Sequence, residues 1–370
     1  MKIKYCKNCL FPNTKPDLYF DDEGVCDACR SAETKWDAKK IINWEAREAE
    51  FNKIISELPK NRTYDCVVPV SGGKDSTYQA YRLIKVHGLK ALAVTFDQFD
   101  QTPTGYHNLQ ILKEIGADHI HFTLNPNVVK KLVLKGFEEI GDLYWVNHVG
   151  MFSIPTRVAS WMNIPLVVYG ENPQFEYGGP PAKRLPQPMN NRWRQEFGGL
   201  RGLREDDMVD EDISLRDIEI LRFPNDNEVQ DISGIFYGDF FRWDPIEHTK
   251  FIKKFGWQSL PIAPAGSSSI DENCDMEFID IRENIKYLKY GYGRASDQLN
   301  IQIRAGALSR DEALKVAIDI DGKVSNDNIE KFCDYVGIKR NYFDILVDRF
   351  VNKNLFVKNN GKWEMICDRH

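Results

Sequence analysis

Residues 64–76 read Tyr-Asp-Cys-Val-Val-Pro-Val-Ser-Gly-Gly-Lys-Asp-Ser, and this stretch decides the fold. The mostly apolar run Tyr64–Val70 has the length of a buried strand, and the spacing of Thr77–Val86 predicts a helix. A glycine-rich loop between a strand and a helix points backbone N–H groups at an anion, and the helix dipole adds positive potential. An ordinary glycine turn is the alternative. The six residues 71–76 together, at a junction between a strand and a helix, favour a phosphate site over that alternative.

The side chains of the loop suit a phosphate ligand. Its serine hydroxyls can donate hydrogen bonds, its glycines let the backbone come close, and Lys74 supplies a positive charge. Asp75 would repel a phosphate unless Mg²⁺ lies between them, or unless the carboxylate caps the loop. We expect Lys74 and Asp75 to be catalytic. The expected pyrophosphate-binding residues of the loop are Ser71, Gly72, Gly73, Lys74, Asp75 and Ser76.

Strand and helix patterns alternate after the loop. Further strands are expected at Leu89–Phe96, His119–Leu124 and Ile164–Tyr169, with helices at Asn108–Ile115 and Val128–Ile140. This order predicts an α/β fold with a doubly wound, mostly parallel sheet. Ligands of such sheets bind beyond the carboxyl ends of the strands, which nominates Phe96, Asp97, Gly170, Glu171 and Asn172. A plain loop carboxylate is the alternative for Asp97.

The loop lacks the glycine spacing of a Walker loop. It resembles the pyrophosphate loop (PP-loop) of the N-type ATP pyrophosphatases, which include asparagine and GMP synthetases and tRNA thiolation enzymes. The resemblance implies an adenine nucleotide alpha-hydrolase-like fold. It also implies that ATP adenylates a substrate oxygen, pyrophosphate leaves, and a nitrogen or sulfur nucleophile displaces AMP. Phe96, Asp97, Gly170 and Glu171 would hold adenine and ribose.

Four of the eight cysteines form two Cys-x-x-Cys pairs near the start, Cys6 with Cys9 and Cys26 with Cys29. This spacing predicts a zinc ribbon with a structural Zn²⁺ ion. An iron–sulfur cluster or free thiols are the alternatives. The other cysteines show no pairing pattern: Cys66, Cys274, Cys333 and Cys367.

Composition shifts along the chain indicate four parts. We expect a zinc ribbon at 1–30, a linker helix at 31–60, an ATP pyrophosphatase domain at 61–212 and a mainly helical substrate or partner region at 213–370. A proline- and glycine-rich segment from about residue 171 is either a functional lid or a disordered insertion. In the last part, Ser309 and Glu312 have capping-box spacing. Helices are expected there at Ala313–Ile318, Asn326–Val336 and Tyr342–Phe350, and a hairpin turn at 359–361.

Charge and hydropathy exclude some classes of protein. The net charge of −6 and the pI near 5.8 argue against a protein whose main function is to bind nucleic acid. No uncharged stretch approaches the ~20 residues needed to cross a bilayer. The start lacks the apolar core of a signal peptide, so a cytoplasmic protein is expected.

Further segments narrow the resemblance. The cysteine-rich start, residues 170–178 (Gly-Glu-Asn-Pro-Gln-Phe-Glu-Tyr-Gly) and residues 289–297 (Lys-Tyr-Gly-Tyr-Gly-Arg-Ala-Ser-Asp) are similar to the N-acetyl sugar amidotransferase family. That family converts an acetamido group of a bacterial surface sugar into an acetamidino group. The resemblance implies lipopolysaccharide O-antigen or flagellin glycan precursors as substrates. It also implies separate glutaminase and cyclase-like subunits that supply ammonia, since no glutaminase motif is visible in this chain.

Candidate sugar-binding residues come from the same segments: Asn172, Glu176, Tyr177, Lys289, Arg294 and Asp297. Arginine suits an anionic sugar because it binds carboxylate and phosphate bidentately. Further candidates are Arg192, Arg194, Arg201 and Arg204, with solvated loop arginines as the alternative. His148 is expected to be a core histidine.

Two other functions are weighed. A tRNA thiolation enzyme shares the loop and the ribbon, but it needs a second set of reactive cysteines that the chain does not show. The region 326–350 could be a DNA-binding helix-turn-helix, but residues 325–370 carry a net charge of only +1.

Overall fold

The computed structural model describes residues 3–36, 42–178, 187–189 and 202–366. Its central sheet has six strands in the order β3-β2-β1-β4-β6-β5. They are β1 (Cys66–Pro69), β2 (Ala91–Phe96), β3 (Asp118–Phe122), β4 (Leu166–Tyr169), β5 (Gln187–Pro188) and β6 (Ser233–Phe236). All neighbouring pairs are parallel except β5 with β6. The predicted mostly parallel sheet is confirmed, and β5 and β6 are additions that the sequence reading did not include.

Helices cover both faces of the sheet. One face carries α5 (Pro126–Ile140) and α6 (Trp145–Trp161), and the other carries α2 (Trp44–Ser56), α3 (Lys74–Tyr81) and α4 (Pro103–Ile115). A π-helical turn, Arg82–Val86, prolongs α3. Because successive strand residues point to opposite faces, Val67 joins the first core and Val68 the second.

Local signals set several helix ends. Thr102 caps α4 by accepting a hydrogen bond from the N–H of Gly105, Pro103 occupies the first turn, and Gly116 ends the helix at a φ of 81°. By contrast, α6 was not predicted. It is buried on nearly every side, so it has no polar stripe to reveal a helical period.

The remaining helices, turns and hairpin lie outside the central sheet. The helices are α1 (Asp27–Trp36), α7 (Pro173–Tyr177), α8 (Leu215–Ile218), α9 (Pro245–Ile252), α10 (Ile279–Tyr290), α11 (Arg294–Arg304), α12 (Arg310–Ile320), α13 (Asn326–Val336) and α14 (Arg340–Phe350). Short 3₁₀ turns lie at Glu205–Met208, Glu219–Leu221, Tyr237–Asp239 and Lys253–Phe255. A hairpin of β7 (Phe356–Asn359) and β8 (Lys362–Met365) closes the described chain.

The helical C-terminal part packs against the helices of the sheet and against the cysteine module. Phe332 and Phe343 lie against Phe137 of α5, with ring centroids 5.7 and 5.3 Å away. At the other end, the backbone N–H of Leu10 in the cysteine module donates to Asn300 Oδ1 at 2.8 Å. Among the described residues, no helix is both long and apolar enough to cross a membrane.

Candidate functional site

The glycine-rich loop leaves the carboxyl end of β1 and turns directly into α3. Gly72 has a φ of 89°, a conformation that glycine adopts without strain, and a Cβ there would lie 2.9 Å from the carbonyl oxygen of Gly105. The backbone N–H of Gly73 donates to Ser71 Oγ at 3.3 Å. The backbone N–H of Ser71 donates to Ser76 Oγ at the same distance. The predicted strand–loop–helix context is therefore present.

Lys74 is the buried cation of this loop, with 5% of its side chain exposed. Its Nζ lies 2.9 Å from Asp75 Oδ2 and 2.6 Å from Glu272 Oε1. Burial alone would lower the pKa of Lys74, but the two carboxylates raise it above its ordinary value. The lysine is therefore charged in the cleft.

Asp75 is held from both sides. Its Oδ1 lies 2.7 Å from Nδ1 of His248, while Oδ2 pairs with Lys74. Burial favours the neutral acid, but the Lys74 charge and the His248 hydrogen bond keep the pKa of Asp75 well below its usual range. The carboxylate is thus ionised and fixed in orientation.

A segment from the C-terminal part lies across the loop. Trp257 Nε1 donates to the carbonyl oxygen of Gly72 at 3.0 Å. Glu272 bridges Lys74 and Arg294, whose Nη2 is 2.8 Å from Glu272 Oε2. Asp275 accepts a hydrogen bond from Gln98 Nε2 at 2.6 Å. The region between them, here called the cleft, therefore has one wall from the sheet with its loop and one from this segment.

The residues after β2 point in different directions. Phe96 is buried in the core, where its ring fills the space that a Cβ on Gly150 would take. Asp97 turns towards β3 and pairs with His121 Nε2 at 3.0 Å and Thr123 Oγ1 at 3.1 Å. The hydrogen bonds of Asp97 therefore run to β3 and the residue after it.

The residues after β4 border the cleft. A Cβ on Gly170 would lie 3.0 Å from the Trp243 ring, so only a small residue fits there. Asn172 is buried and donates to Asp239 Oδ1 at 3.1 Å. Burial and then repulsion by Asp75 raise the pKa of Glu171 to about 7, which indicates that Glu171 and Asp75 share one environment.

The predicted sugar-binding residues separate into groups. Arg294 and Tyr177 lie near Glu171 and Glu272, as their mutual charge effects on pKa show. Asp297 pairs with Lys286 at 2.5 Å, beside Arg294.

Glu176 and Lys289 have other partners. Glu176 pairs with the buried Lys35 at 2.6 Å, next to the cysteine module. Lys289 Nζ donates to the carbonyl oxygens of Ile140 and Gly141 at the end of α5.

The remaining candidates lie away from the loop or outside the described residues. Arg204 precedes the 3₁₀ turn at Glu205–Met208, where its backbone N–H donates to Asp207 Oδ2. His148 lies in the first turn of α6, 3.8 Å from Asp142. Arg192, Arg194, Arg201 and Cys367 lie outside the described residues.

Sequence reasoning missed His248, Glu272 and Asp275. His248 is 173 residues from Asp75, and Glu272 is 198 residues from Lys74. No local motif marks these positions. The available signal was weak: Asp244-Pro245 predicts a helix start, which places His248 in a first turn.

The four clustered cysteines form a candidate metal centre. The Sγ atoms of Cys6, Cys9, Cys26 and Cys29 all lie within 4.8 Å of one another, with pairs at 3.9 and 3.7 Å. Zn–S bonds of about 2.3 Å in a tetrahedron require S–S edges of roughly 3.8 Å. The backbone N–H groups of Asn8 and Cys26 also point at Cys6 Sγ. The geometry fits a tetrahedral ion.

Comparison with known families bears on the C-terminal part. Residues 249–369 match the family described as LPS biosynthesis protein WbpG-like, C-terminal domain. After this similarity, residues 249–369 are called the WbpG-like domain below. The match confirms the resemblance to a family of bacterial surface-sugar proteins. Glu272, Asp275 and Arg294 all belong to the WbpG-like domain, so that domain supplies one wall of the loop cleft.

Three solved structures are similar to the chain at low identity. NMN synthetase from Francisella tularensis is 11% identical, with a TM-score of 0.34, covering 72% of this chain and 94% of that one. The U34-tRNA thiolase NcsA from Methanococcus maripaludis with its 4Fe-4S cluster is 14% identical, with a TM-score of 0.26, covering 69% and 83%. NAD+ synthetase from Burkholderia pseudomallei is 16% identical, with a TM-score of 0.26, covering 64% and 95%. A search of curated proteins found no match.

Proposed function

We propose that the chain is an ATP-dependent amidotransferase acting on an N-acetyl sugar of a lipopolysaccharide O-antigen or flagellin glycan precursor. The acetamido oxygen attacks the α-phosphate of ATP, and pyrophosphate leaves. Ammonia then attacks the imidate carbon, AMP leaves with the former amide oxygen, and an acetamidino group remains.

The observation that carries the proposal is the bridge from Lys74 through Glu272 to Arg294. It joins a phosphate-type loop to a lipopolysaccharide-biosynthesis domain in one cleft. An enzyme that transfers AMP to a surface sugar must bind ATP and the sugar next to each other, so its phosphate loop and its sugar-binding residues must lie in one cleft.

The chain's own residues have separate tasks in this scheme. The N-terminus of α3 and the Lys74 charge would bind the departing pyrophosphate. Arg294 would bind an anionic group of the sugar or its carrier, because a guanidinium grips carboxylate or phosphate in two places. Glu272 holds both cations in position until the anions arrive.

The acidic groups of the cleft fit a Mg²⁺ ion that accompanies ATP. Asp75, Glu171, Glu272 and Asp275 surround one lysine, and carboxylate oxygens are the ligands that Mg²⁺ prefers. Burial raises the pKa of Asp275 and that of Glu171, so a bound cation would favour the ionised form of both carboxyl groups. Bound Mg²⁺ would neutralise charge on the phosphates. The cysteine centre would hold a structural Zn²⁺ ion.

The remaining cysteines argue against the thiolation alternative. Cys66, Cys274 and Cys333 are buried, and burial raises the pKa of each thiol, that of Cys274 to about 12. A sulfur-transfer enzyme needs thiolates near the cleft. Separate glutaminase and cyclase-like partners, and a cytoplasmic location, complete the proposal.

The test is a direct assay of the purified chain. It is incubated with ATP, Mg²⁺, ammonium and a diacetamido sugar, and products are followed by mass spectrometry. Exchange of the amide oxygen for NH lowers the sugar mass by about 1 Da, as in any amide-to-amidine conversion. We expect this loss together with AMP and pyrophosphate. Release of ADP and phosphate instead would contradict the mechanism.

Lys74→Ala tests the role of the loop. Loss of a preorganised charge next to the reacting phosphates is expected to lower kcat/KM by about 10²- to 10³-fold. The matched control is Lys250→Ala, because Lys250 is exposed and pairs with Glu247 on its own helix. Equal turnover in both variants would remove Lys74 from the site.

A further inference from the structure

A group of buried polar atoms near the cleft has no hydrogen-bond partner within the described part of the chain. Both amide atoms of Asn147 and both of Gln101 belong to it, together with Gln98 Oε1 and Asp100 Oδ1. Asn147 as a whole is only 8% exposed. Native proteins pair nearly all such groups, because an unpaired buried amide loses its hydration without compensation.

Asn147 lies at the carboxyl edge of the sheet. It is in the first turn of α6, one turn before Gly150 on the same helix face. Gly150 packs on the ring of Phe96, the last residue of β2. Asn147 therefore lies beyond the end of β2, in the position where doubly wound sheets bind ligands.

Gln101 and its neighbours approach from the loop after β2. Gln101 Nε2 is 3.0 Å from the position of a Cβ on Gly105, and the same position is 2.7 Å from Asp275 Cα. Asp100 Oδ2 accepts from Phe278 N–H at 2.8 Å and from the hydroxyl of Tyr144, the residue that precedes α6. Tyr144 thus connects this loop to the helix turn that carries Asn147.

We infer that Asn147 and Gln101 line a subsite for a planar group that carries both a hydrogen-bond donor and an acceptor. A carboxamide offers the complementary pair, an N–H donor and a C=O acceptor. Two substrates of the proposed reaction carry both groups: adenine has them side by side at its N1/N6 edge, and the acetamido group of the sugar has its N–H and C=O on opposite sides. The identity of these ligands rests on the proposed function. The observation that the two amides are unpaired does not depend on it.

The first test is the stability of the free protein. An unpaired amide kept for a ligand destabilises the free protein, so Asn147→Leu is expected to raise Tm by about 1–4 °C. The matched control is Asn108→Leu. Asn108 is also buried, but its Nδ2 and Oδ1 both bond to the backbone of Gln258, at 2.9 and 2.8 Å. Asn108→Leu should lower Tm.

The second test is ligand binding by calorimetry, with Mg-ATP and a diacetamido sugar as separate probes. Loss of two hydrogen bonds should weaken binding about 10- to 100-fold in Asn147→Leu. Weaker sugar binding alone identifies the acetamido group, and weaker ATP binding alone identifies adenine. Gln101→Leu should weaken binding of the same probe as Asn147→Leu. It is the variant to measure if Asn147→Leu does not fold.

Two outcomes overturn the inference: a Tm lowered as in Asn108→Leu, or unchanged binding of both probes. Failure of the proposed function gives a different result. In that case the wild-type protein binds a probe but makes no amidine, while the Asn147→Leu effects on Tm and binding persist.

Discussion

At the scale of single residues, the site depends on how Asp75 is held. Nε2 of His248 accepts a weak hydrogen bond from the N–H of Asp244 at 3.4 Å, so the ring proton lies on Nδ1 and is donated to Asp75. Tyr78 stacks on the imidazole with centroids 4.0 Å apart. His248 is therefore a positioning residue whose tautomer is set by its own helix start.

Substitutions of His248 can separate its hydrogen bond from its packing. In Asn, the side-chain N–H occupies the place of Nδ1, whereas in Gln it corresponds to Nε2. We expect His248→Asn to keep most of kcat/KM and His248→Gln to lose about 10- to 100-fold, as for other groups that orient a ligand. Both variants lose the Tyr78 stack and should show similar drops in Tm. Equal activities at equal Tm would contradict this role.

At the scale of elements, the cysteine module is tied to the cleft by arginines. Arg304 of α11 places Nη2 3.9 Å from Cys9 Sγ and Nη1 3.0 Å from the carbonyl oxygen of Glu176 in α7. Arg310 donates to the carbonyl oxygens of Cys6 and Cys9. Since α7 follows Glu171 directly in the chain, the candidate metal centre supports one wall of the site.

Removal of a cysteine ligand should therefore lower the stability of the whole protein as well as that of the cysteine module. Cys26→Ser is expected to lose about one equivalent of bound metal and to lower Tm, because a closed Cys₄ site contributes folding free energy. Elemental analysis and a thermal scan measure both effects. Cys333→Ser is the control, because Cys333 lies in the α13 core and should leave the metal content unchanged. Iron with visible absorbance, instead of zinc, would contradict the zinc assignment.

Elements also differ in how far the sequence predicts them. The capping box of Ser309 and Glu312 is present as expected and starts α12 at Arg310. The hairpin turn is also confirmed, with Asn360 and Gly361 both at positive φ. These signals act within a few residues, so they can be read locally. The buried helix α6 has no such signal, because its identity depends on what packs around it.

At the scale of the whole molecule, the WbpG-like domain is fastened to the sheet by a close backbone contact. A Cβ on Gly105 of α4 would lie 2.7 Å from Cα of Asp275 and 2.9 Å from its Cβ. The N–H of Thr102 also faces the carbonyl oxygen of Asp275, at 3.4 Å, and Glu277 N–H donates to the carbonyl oxygen of Asp100 at 3.1 Å. We expect this contact to set the distance between Glu272 and Lys74.

Gly105→Ala tests whether that contact sets the geometry of the cleft. The added methyl group must displace backbone, so we expect a free energy of unfolding lowered by about 1–3 kcal/mol and kcat/KM lowered at least tenfold. Denaturant unfolding and steady-state kinetics measure the two effects. Tyr106→Ala, at an exposed position of the same helix, is the control. Full activity in Gly105→Ala would show that the spacing is not critical.

The sequence by itself determined the parts that depend on neighbouring residues: the loop Ser71–Ser76 between a strand and a helix, the parallel sheet and the Cys₄ spacing. It also named Arg294 and Tyr177 as candidate sugar-binding residues, and the structure places both near Glu272. Tertiary structure alone decided that Glu272 bridges Lys74 to Arg294, that His248 orients Asp75, and that Lys289 serves the end of α5. The physical reason is that these contacts join residues far apart in the chain, and which faces meet depends on how whole helices pack.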